Sequence, residues 1–235
     1  MRNVFKIGET LQVFVKGKTS NEKIEGDRKA KIVQSYTFSR KQFELVKSGD
    51  KISMQDFFDA ADSNCLDCPL RSFGKCYTHK PIQYSGFLSM LRSISRVLPT
   101  WDLIPNYTAE IAEQIVNNSA DVFVRFGSYG EPSVHPTELI DNIVKVAKSH
   151  TGYTHQWRLA PELNKHFTAS VHTAQEETLA KGEGWRSFIA TPTPLENYVN
   201  CPASKEQNYK SNCSKCGLCS GSEGKGNKSV YILNH

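Results

Sequence analysis

Short apolar runs separated by polar stretches predict β-strands near the start of the chain. Residues 11–15 (LQVFV) and 31–38 (KIVQSYTF) are rich in β-branched and aromatic side chains. The run between them, GKTSNEKIEGDRK, is polar and contains two glycines, as expected of a loop. We therefore expect the first 50 residues to form a β-rich segment.

Apolar residues that recur every three or four positions predict amphipathic helices farther along the chain. In the segment 84–98 the apolar side chains that share one face are Phe87, Leu88, Leu91, Ile94 and Leu98. By the same pattern, helices are expected over 40–47, 54–61, 108–118, 137–150 and 174–182.

From about residue 108 onward, helices alternate with short β-rich runs. The expected strands are 121–126, 153–157, 167–172, 186–191 and 228–235. Strands separated by helices are typical of a parallel sheet. The predicted fold class is α/β: a partial (β/α) barrel or a parallel sheet, with a β-rich N-terminal segment and a C-terminal cysteine-rich loop. The predicted divisions are 1–50, 51–200 (the α/β core with the first cysteines) and 201–235 (a cysteine-rich tail packed on the core).

Polar residues gather where the expected parallel strands end. Ligands of parallel α/β folds bind at the carboxyl ends of the strands, so this rim is a candidate binding or catalytic site. The alternative is that these residues belong to ordinary loops without a site. The candidate catalytic residues there are Glu131, His155, Arg158 and His172, and Arg125 is expected to line the same pocket.

The 235-residue chain has a formal net charge of +5, and the excess lies in its first 50 residues, where eleven Lys and Arg face six acidic residues. Such a basic segment either steers towards nucleic acid or forms a solvated, lysine-rich surface. No apolar run is long enough for a membrane helix, and the start of the chain lacks a secretory signal. The expectation is a cytoplasmic protein without a membrane partner.

The sequence contains none of the motifs G-x-G-x-x-G, G-x4-G-K-[ST], H-E-x-x-H or G-x-S-x-G, so it gives no support to nucleotide hydrolysis, zinc proteolysis or serine hydrolysis. The seven cysteines are the remaining candidates for a chemical role. In a reducing compartment, clustered cysteines bind metal or do chemistry more often than they form disulfides. They divide into two groups, which are Cys65, Cys68 and Cys76, and Cys201, Cys213, Cys216 and Cys219.

The second group combines a C-x2-C-x2-C triplet with a remote cysteine, Cys201, that is followed by a proline. Bacterial ferredoxins bind [4Fe–4S] clusters with this kind of spacing. A zinc ion bound by four thiolates is the alternative, although zinc sites usually use two separated C-x2-C pairs. The spacing therefore favours an iron–sulfur cluster.

The first group supplies only three thiolates, in the pattern C-x2-C-x7-C. His79 would complete a zinc site of three cysteines and one histidine. Alternatively, the cysteines hold a [4Fe–4S] cluster with one open iron that could chelate S-adenosylmethionine. In a third interpretation, the fourth ligand comes from elsewhere in the fold.

Four segments in this order, "VRFGSYGEPSVHP", "TGYTHQW", "CPASKEQNYKSNCSKCGLC" and "KSVYILNH", resemble an uncharacterised family of phage and prophage proteins related to the mycobacteriophage gene-product-eighty-eight-like group. The segment "NCLDCPLRSFGKCY" is similar to that family's first cysteine motif. The resemblance covers roughly residues 60–235. It implies a phage origin and a host cytoplasm, but no particular activity.

A looser resemblance links "FVRFGSYGEPSVHPTELIDNIVKVAKS" to the Gly-Glu-Pro segment of radical S-adenosylmethionine enzymes. It implies that Gly127, Gly130, Glu131 and Pro132, together with Arg125, bind the cofactor. Some of these radical enzymes carry a second cluster in a C-terminal cysteine-rich tail. The order of three cysteines, Gly-Glu-Pro and four cysteines in this chain is similar to theirs. The usual C-x3-C-x2-C motif is replaced here by C-x2-C-x7-C.

Two functional hypotheses follow from these patterns. The first is a phage-type iron–sulfur protein with one or two [4Fe–4S] clusters and a radical or electron-transfer activity. The second is a zinc-binding, non-enzymatic protein that contacts nucleic acid or a host protein.

Overall fold

The β-rich start of the chain forms three strands of a mixed sheet in the computed structural model, which describes residues 2–27 and 29–233. In spatial order, this sheet contains β1 (Arg2–Ile7), β2 (Thr10–Gly17), β3 (Ile32–Ser39), β4 (Phe123–Tyr129) and β5 (Ser149–Thr151). The first three strands are antiparallel to one another, whereas β3, β4 and β5 run parallel. The basic segment and the α/β core thus share one hydrogen-bonded sheet.

A second five-stranded sheet is parallel throughout. Its strands, in spatial order, are β6 (Tyr153–Thr154), β7 (Thr168–Val171), β8 (Ser187–Thr191), β10 (Val230–Leu233) and β9 (Val199–Asn200). The predicted α/β class and parallel sheet are confirmed. The strand pairings found within residues 2–27 and 29–233 do not close either sheet into a barrel.

Gly152 alone separates the last strand of the first sheet from the first strand of the second. A Cβ atom at this position would lie 2.7 Å from the ring of Phe167, so the close packing requires glycine. The carboxyl ends of β4 and β6 consequently lie on one side of the molecule, where the polar rim was expected.

Seven α-helices surround the sheets in the described part of the chain: α1 (Arg40–Lys47), α2 (Met54–Asp59), α3 (Pro81–Val97), α4 (Ala109–Ser119), α5 (Thr137–Val146), α6 (Ala174–Gly182) and the single turn α7 (Cys213–Cys216). Side chains of Ser39, Ser53, Thr108 and Thr173 accept hydrogen bonds from the first turns of α1, α2, α4 and α6. The helices predicted from apolar spacing are therefore present. The bounds of α1 and α6 are as predicted, and the ends of the others are shifted.

The largest shift concerns the helix expected over 137–150. It ends at Val146, because Ala147 adopts an extended backbone (φ −69°, ψ 142°) and residues 149–151 pair with β4 as β5. The strand expected over 153–157 covers only Tyr153–Thr154. The sequence prediction missed β1 and β9, and the last two residues of the strand expected over 228–235 lie outside the described residues.

Four apolar clusters are found within residues 2–27 and 29–233, and two of them contain most of the buried apolar side chains. One packs α4 and α5 against the sheets around Phe126, Trp157 and Phe167. The other is rich in aromatic rings, including Phe58 and Phe87, and lies beneath α1, α2 and α3. None of the described helices combines the length and the apolarity that crossing a bilayer requires.

Candidate metal centre

The loop that carries Cys65, Cys68 and Cys76 connects α2 to α3 and is attached to the end of β4. The backbone N–H of Glu131 donates to the Asn64 carbonyl at 2.7 Å, and the Asn64 amide donates to the Thr37 carbonyl at 2.9 Å. These bonds fix the position of the residue just before Cys65. The loop is thereby held against the rim of the first sheet.

All three thiols of this loop line a cavity of about 60 Å³ together with residues of the rim. Burial raises the pKa of the Cys65 thiol, and the neighbouring Cys68 and Cys76 raise it further. The three thiols thus lie close enough to affect one another. The other lining residues are Leu70, Arg71, Tyr77, Thr78, His79, Gly127, Tyr129, Gly130, Glu131, Tyr153 and His155.

The Gly-Glu-Pro turn forms the opposite wall of this cavity. Gly130 has a φ of +75°, and a Cβ atom there would lie 2.6 Å from the Thr37 carbonyl oxygen. Gly127, also at positive φ (+62°), packs against Pro132. Glycine is required at both positions for the turn to approach β3 and the cysteine loop closely.

Two candidate residues, Glu131 and His155, are in direct contact within the cavity wall. Glu131 Oε2 accepts from the backbone N–H of His155 at 3.1 Å and lies 3.5 Å from His155 Nδ1. Burial alone lowers the pKa of His155, but the neighbouring Cys68 and Glu131 raise it to about 10. The structure therefore joins the end of β4, the end of β6 and the first cysteine loop.

Of the other two candidate catalytic residues, His172 lies beside this pair and Arg158 points elsewhere. The ring of His172 stacks on that of His155, with centroids 5.2 Å apart and planes 7° from parallel. Arg158 is exposed, lies over the Trp157 ring at 3.9 Å and reaches Glu176 at 3.8 Å. The expectation of one shared pocket is wrong for three rim residues, because Arg125, Arg158 and His172 are not among the residues that line the cavity.

The four cysteines of the second group also converge. Burial raises the pKa of the Cys219 thiol, and charge on Cys201, Cys213 and Cys216 raises it further. Cys213 begins α7, and its backbone N–H donates to the Lys23 carbonyl at 2.8 Å. Three parts of the chain hold the group: the loop after β2, the end of β9 and the loop that contains α7.

Three cations surround this second group and offset negative charge on its sulfur atoms. Lys23 and Arg125 lower the pKa of Cys213, and Arg186 lowers that of Cys219, although burial raises both pKa values more strongly. Arg186 also donates to the carbonyl oxygens of Gly221, Lys225 and Gly226, which fixes the loop after the last cysteine. Buried thiolates require compensation of this kind.

Arg125 connects the two cysteine groups through two tyrosines. Its guanidinium donates to the Tyr77 hydroxyl at 3.3 Å, and the Tyr153 hydroxyl donates to the same oxygen at 3.2 Å. Burial lowers the pKa of Arg125, but charge on Tyr77, Tyr153 and Cys213 raises it overall. Tyr77 follows Cys76 directly, and the bridge reaches the second group through the electrostatic effect of Cys213 on Arg125.

The chemistry of both donor sets fits a group bound by thiolates. All seven cysteines are free. Within residues 2–27 and 29–233, however, no three His, Cys, Asp or Glu side chains are arranged so that they could hold a metal ion. Each group is thus a convergent set of thiols and not a finished coordination sphere.

Sequence reasoning missed the roles of Tyr77 and Arg186. Tyr77 had one signal, its position next to a cysteine. Arg186 had none, because its role arises from a loop folded around it some 35 to 40 positions along the chain.

No protein-family model, no curated protein and no solved structure matches this chain.

Proposed function

We propose that this chain is an iron–sulfur protein that transfers electrons, with one [4Fe–4S] cluster at each cysteine group. The observation that carries the proposal is the bridge of Tyr77, Arg125 and Tyr153 between two convergent sets of free thiols. Such a cluster supplies one-electron redox chemistry when bound. Cys65, Cys68 and Cys76 would hold one, and Cys201, Cys213, Cys216 and Cys219 the other.

The charges around the thiols support a redox role. Cluster potentials depend on net charge, hydrogen bonds to sulfur and exposure to solvent. Lys23, Arg125 and Arg186 place positive charge around the second group, whereas the buried carboxylate of Glu131 lies beside the first. The cations would raise the potential of the second centre, which is the cluster held by Cys201, Cys213, Cys216 and Cys219.

The contacts of the Gly-Glu-Pro turn favour electron transfer over binding of S-adenosylmethionine. Gly127, Gly130, Glu131 and Pro132 would contact S-adenosylmethionine if the resemblance to radical enzymes extended to this cofactor. In this structure, Gly130 and Glu131 are engaged with Thr37, Asn64 and His155 instead.

Seven free thiols suit a reducing cytoplasm, which would be that of the host if a phage encodes the protein. The basic segment gives less support to nucleic acid as a partner, because Lys23 lowers the pKa values of Cys201 and Cys213 in the second group. At least part of the segment's charge therefore acts on the cysteines.

The test is anaerobic reconstitution of the full chain, followed by counts of iron, acid-labile sulfide and zinc. Two [4Fe–4S] clusters require about eight irons and eight sulfides per chain. The protein should be brown and should bleach on reduction with dithionite. One double variant replaces Cys213 and Cys216 by serine, and a second replaces Cys65 and Cys68 by serine. Each should contain half of the iron of the wild-type chain.

A colourless protein with about two zinc ions per chain would contradict the proposal and favour the zinc hypothesis. Added S-adenosylmethionine should leave the spectrum of the reduced clusters unchanged. A clear perturbation would instead indicate an open iron and a radical activity.

A further inference from the structure

The first cysteine group lacks a fourth ligand, and two imidazoles line its cavity, those of His79 and His155. A histidine that binds a metal presents a lone pair from one ring nitrogen and donates the N–H of the other to a carboxylate or carbonyl. The hydrogen bonds of each ring therefore decide which of the two could serve.

His79 has the wrong tautomer for a ligand. The backbone N–H of Gly74 donates to its Nδ1 at 3.0 Å, so Nδ1 uses its lone pair as an acceptor. The proton of the neutral ring then belongs to Nε2, which has no lone pair to offer. Its ring also packs on Phe58, with centroids 4.0 Å apart, which fixes its orientation.

His155 has the hydrogen-bond arrangement that a ligand needs. Its Nδ1 faces the Glu131 carboxylate at 3.5 Å, and the same carboxylate oxygen holds the backbone N–H of His155. Its Nε2 is buried and has no hydrogen-bond partner among the described residues. Cys68 lies close enough to this ring to act on it electrostatically.

Neighbouring residues hold the ring in this position. His172 stacks parallel to it, and the next residue, Gln156, donates from its side chain to Asp67, between Cys65 and Cys68. The strand end that carries His155 is thus tied directly to the cysteine loop.

We propose that His155 Nε2 is the fourth protein ligand of the first centre and that Glu131 is the positioning residue that orients its ring. This inference rests on the proposed function and changes its detail: the first centre is coordinated by Cys65, Cys68, Cys76 and His155 and has no open iron. Both centres are then coordinatively complete, as electron carriers are.

Pulsed EPR on protein labelled with [15N]histidine tests the ligand directly. The Cys213→Ser/Cys216→Ser variant is used as background, so that only the first centre is loaded and reduced. A histidine nitrogen bound to iron should give a strong 15N coupling. That coupling should disappear in His155→Ala and in His155→Cys, and His155→Cys should retain the cluster with about four irons per chain.

Two matched controls remove neighbouring imidazoles. His172→Ala and His79→Ala should both keep the nitrogen coupling. Glu131→Gln should keep the coupling but lose iron to a chelator on the order of ten times faster, since second-layer partners typically contribute 10- to 100-fold to metal affinity. Circular dichroism confirms that each variant is folded.

The inference is overturned if a loaded first centre shows no coupling to histidine nitrogen, or if the coupling persists in His155→Ala. It is also overturned if His79→Ala abolishes it. Failure of the proposed function looks different, because the wild-type chain would then bind no iron and sulfide at all. If zinc binds instead, a fall from two zinc ions to one in His155→Ala, but not in His79→Ala, would support the same ligand set on another metal.

Discussion

A single guanidinium, that of Arg125, contacts the first cysteine loop through Tyr77 and acts electrostatically on Cys213 of the second group. Arg125 is half-buried. Solvent screens such a charge in part, but the charge still acts over several ångströms. Arg125 is therefore the residue through which each centre would sense the other.

Replacing Arg125 by glutamine should make the second centre harder to reduce. Loss of one positive charge should lower its potential by roughly 50–100 mV, which corresponds to about 1–2 kcal/mol at a moderate effective dielectric. Arg125→Lys keeps the positive charge, so the potential of its second centre should stay close to that of the wild type. Redox titration followed by EPR measures both, and an unchanged potential in Arg125→Gln would show that the charge acts on neither cluster.

Gly130 is the residue whose replacement should most damage the first centre through the backbone. Alanine there would combine a left-handed conformation with a Cβ atom 2.6 Å from the Thr37 carbonyl oxygen. We expect a loss of about 3 kcal/mol in the free energy of unfolding. Gly8→Ala is the matched control, because Gly8 also has positive φ (+54°) but has open space around it, and should cost about 1 kcal/mol. Urea denaturation gives both values, and equal losses would disprove the role of the contact.

At the scale of elements, the short helix α7 sets the spacing of two thiols of the second group. Asn212 caps it by accepting from the backbone N–H of Lys215 at 3.1 Å and from the Ser214 hydroxyl at 2.7 Å. Asn212→Ala should cost about 1 kcal/mol and lower the iron content of the second centre selectively. Thr108→Ala, which removes the cap of α4, should have a similar cost in stability and leave the iron content unchanged.

The elements also show how far the sequence could predict this molecule. Helices with a clear apolar face, such as 84–98, and strands with β-branched runs were predictable, because local periodicity reports which face is buried. The strand β5 was not, since Ser149–Thr151 carries no apolar alternation and continues a helical pattern without a breaker. Its conformation is imposed by pairing with β4.

The candidate site was predictable in part for a similar reason. The rule that parallel strands present their carboxyl ends together was enough to group Glu131 with His155. The contact of that pair with Cys68 was not predictable, because the cysteine loop carries no regular pattern and its place depends on the hydrogen bonds of Asn64. The bridge through Tyr77 depends on the same placement.

At the scale of the whole molecule, stability should depend on pH through a buried histidine in the core. His135 packs on Phe14, with ring centroids 4.9 Å apart, and neither ring nitrogen has a partner among the described residues. Burial lowers its pKa to about 3. Below about pH 6.5, His135 binds a proton in the unfolded chain but stays neutral in the folded chain. The free energy of unfolding therefore decreases as the pH falls from about 6.5 towards 3.

This one residue should contribute a slope of about 1.4 kcal/mol per pH unit in that window. His135→Leu removes the titration, so its unfolding free energy should depend less on pH between 6 and 4 than that of the wild type. Above pH 7.5 the two curves should run parallel, since the histidine is neutral in both states. Parallel curves at acidic pH as well would refute the assignment.

The position of β10 between β8 and β9 determines when the second centre can exist. Cys201 donates its backbone N–H to the Tyr231 carbonyl at 2.8 Å, and Cys213 donates its own to Lys23 near the start of the chain. A growing polypeptide therefore cannot assemble this site until residue 231 has left the ribosome, whereas every residue that surrounds the first three cysteines has been made by residue 172. Loading in the cell would follow that order, with the first centre filled before the second.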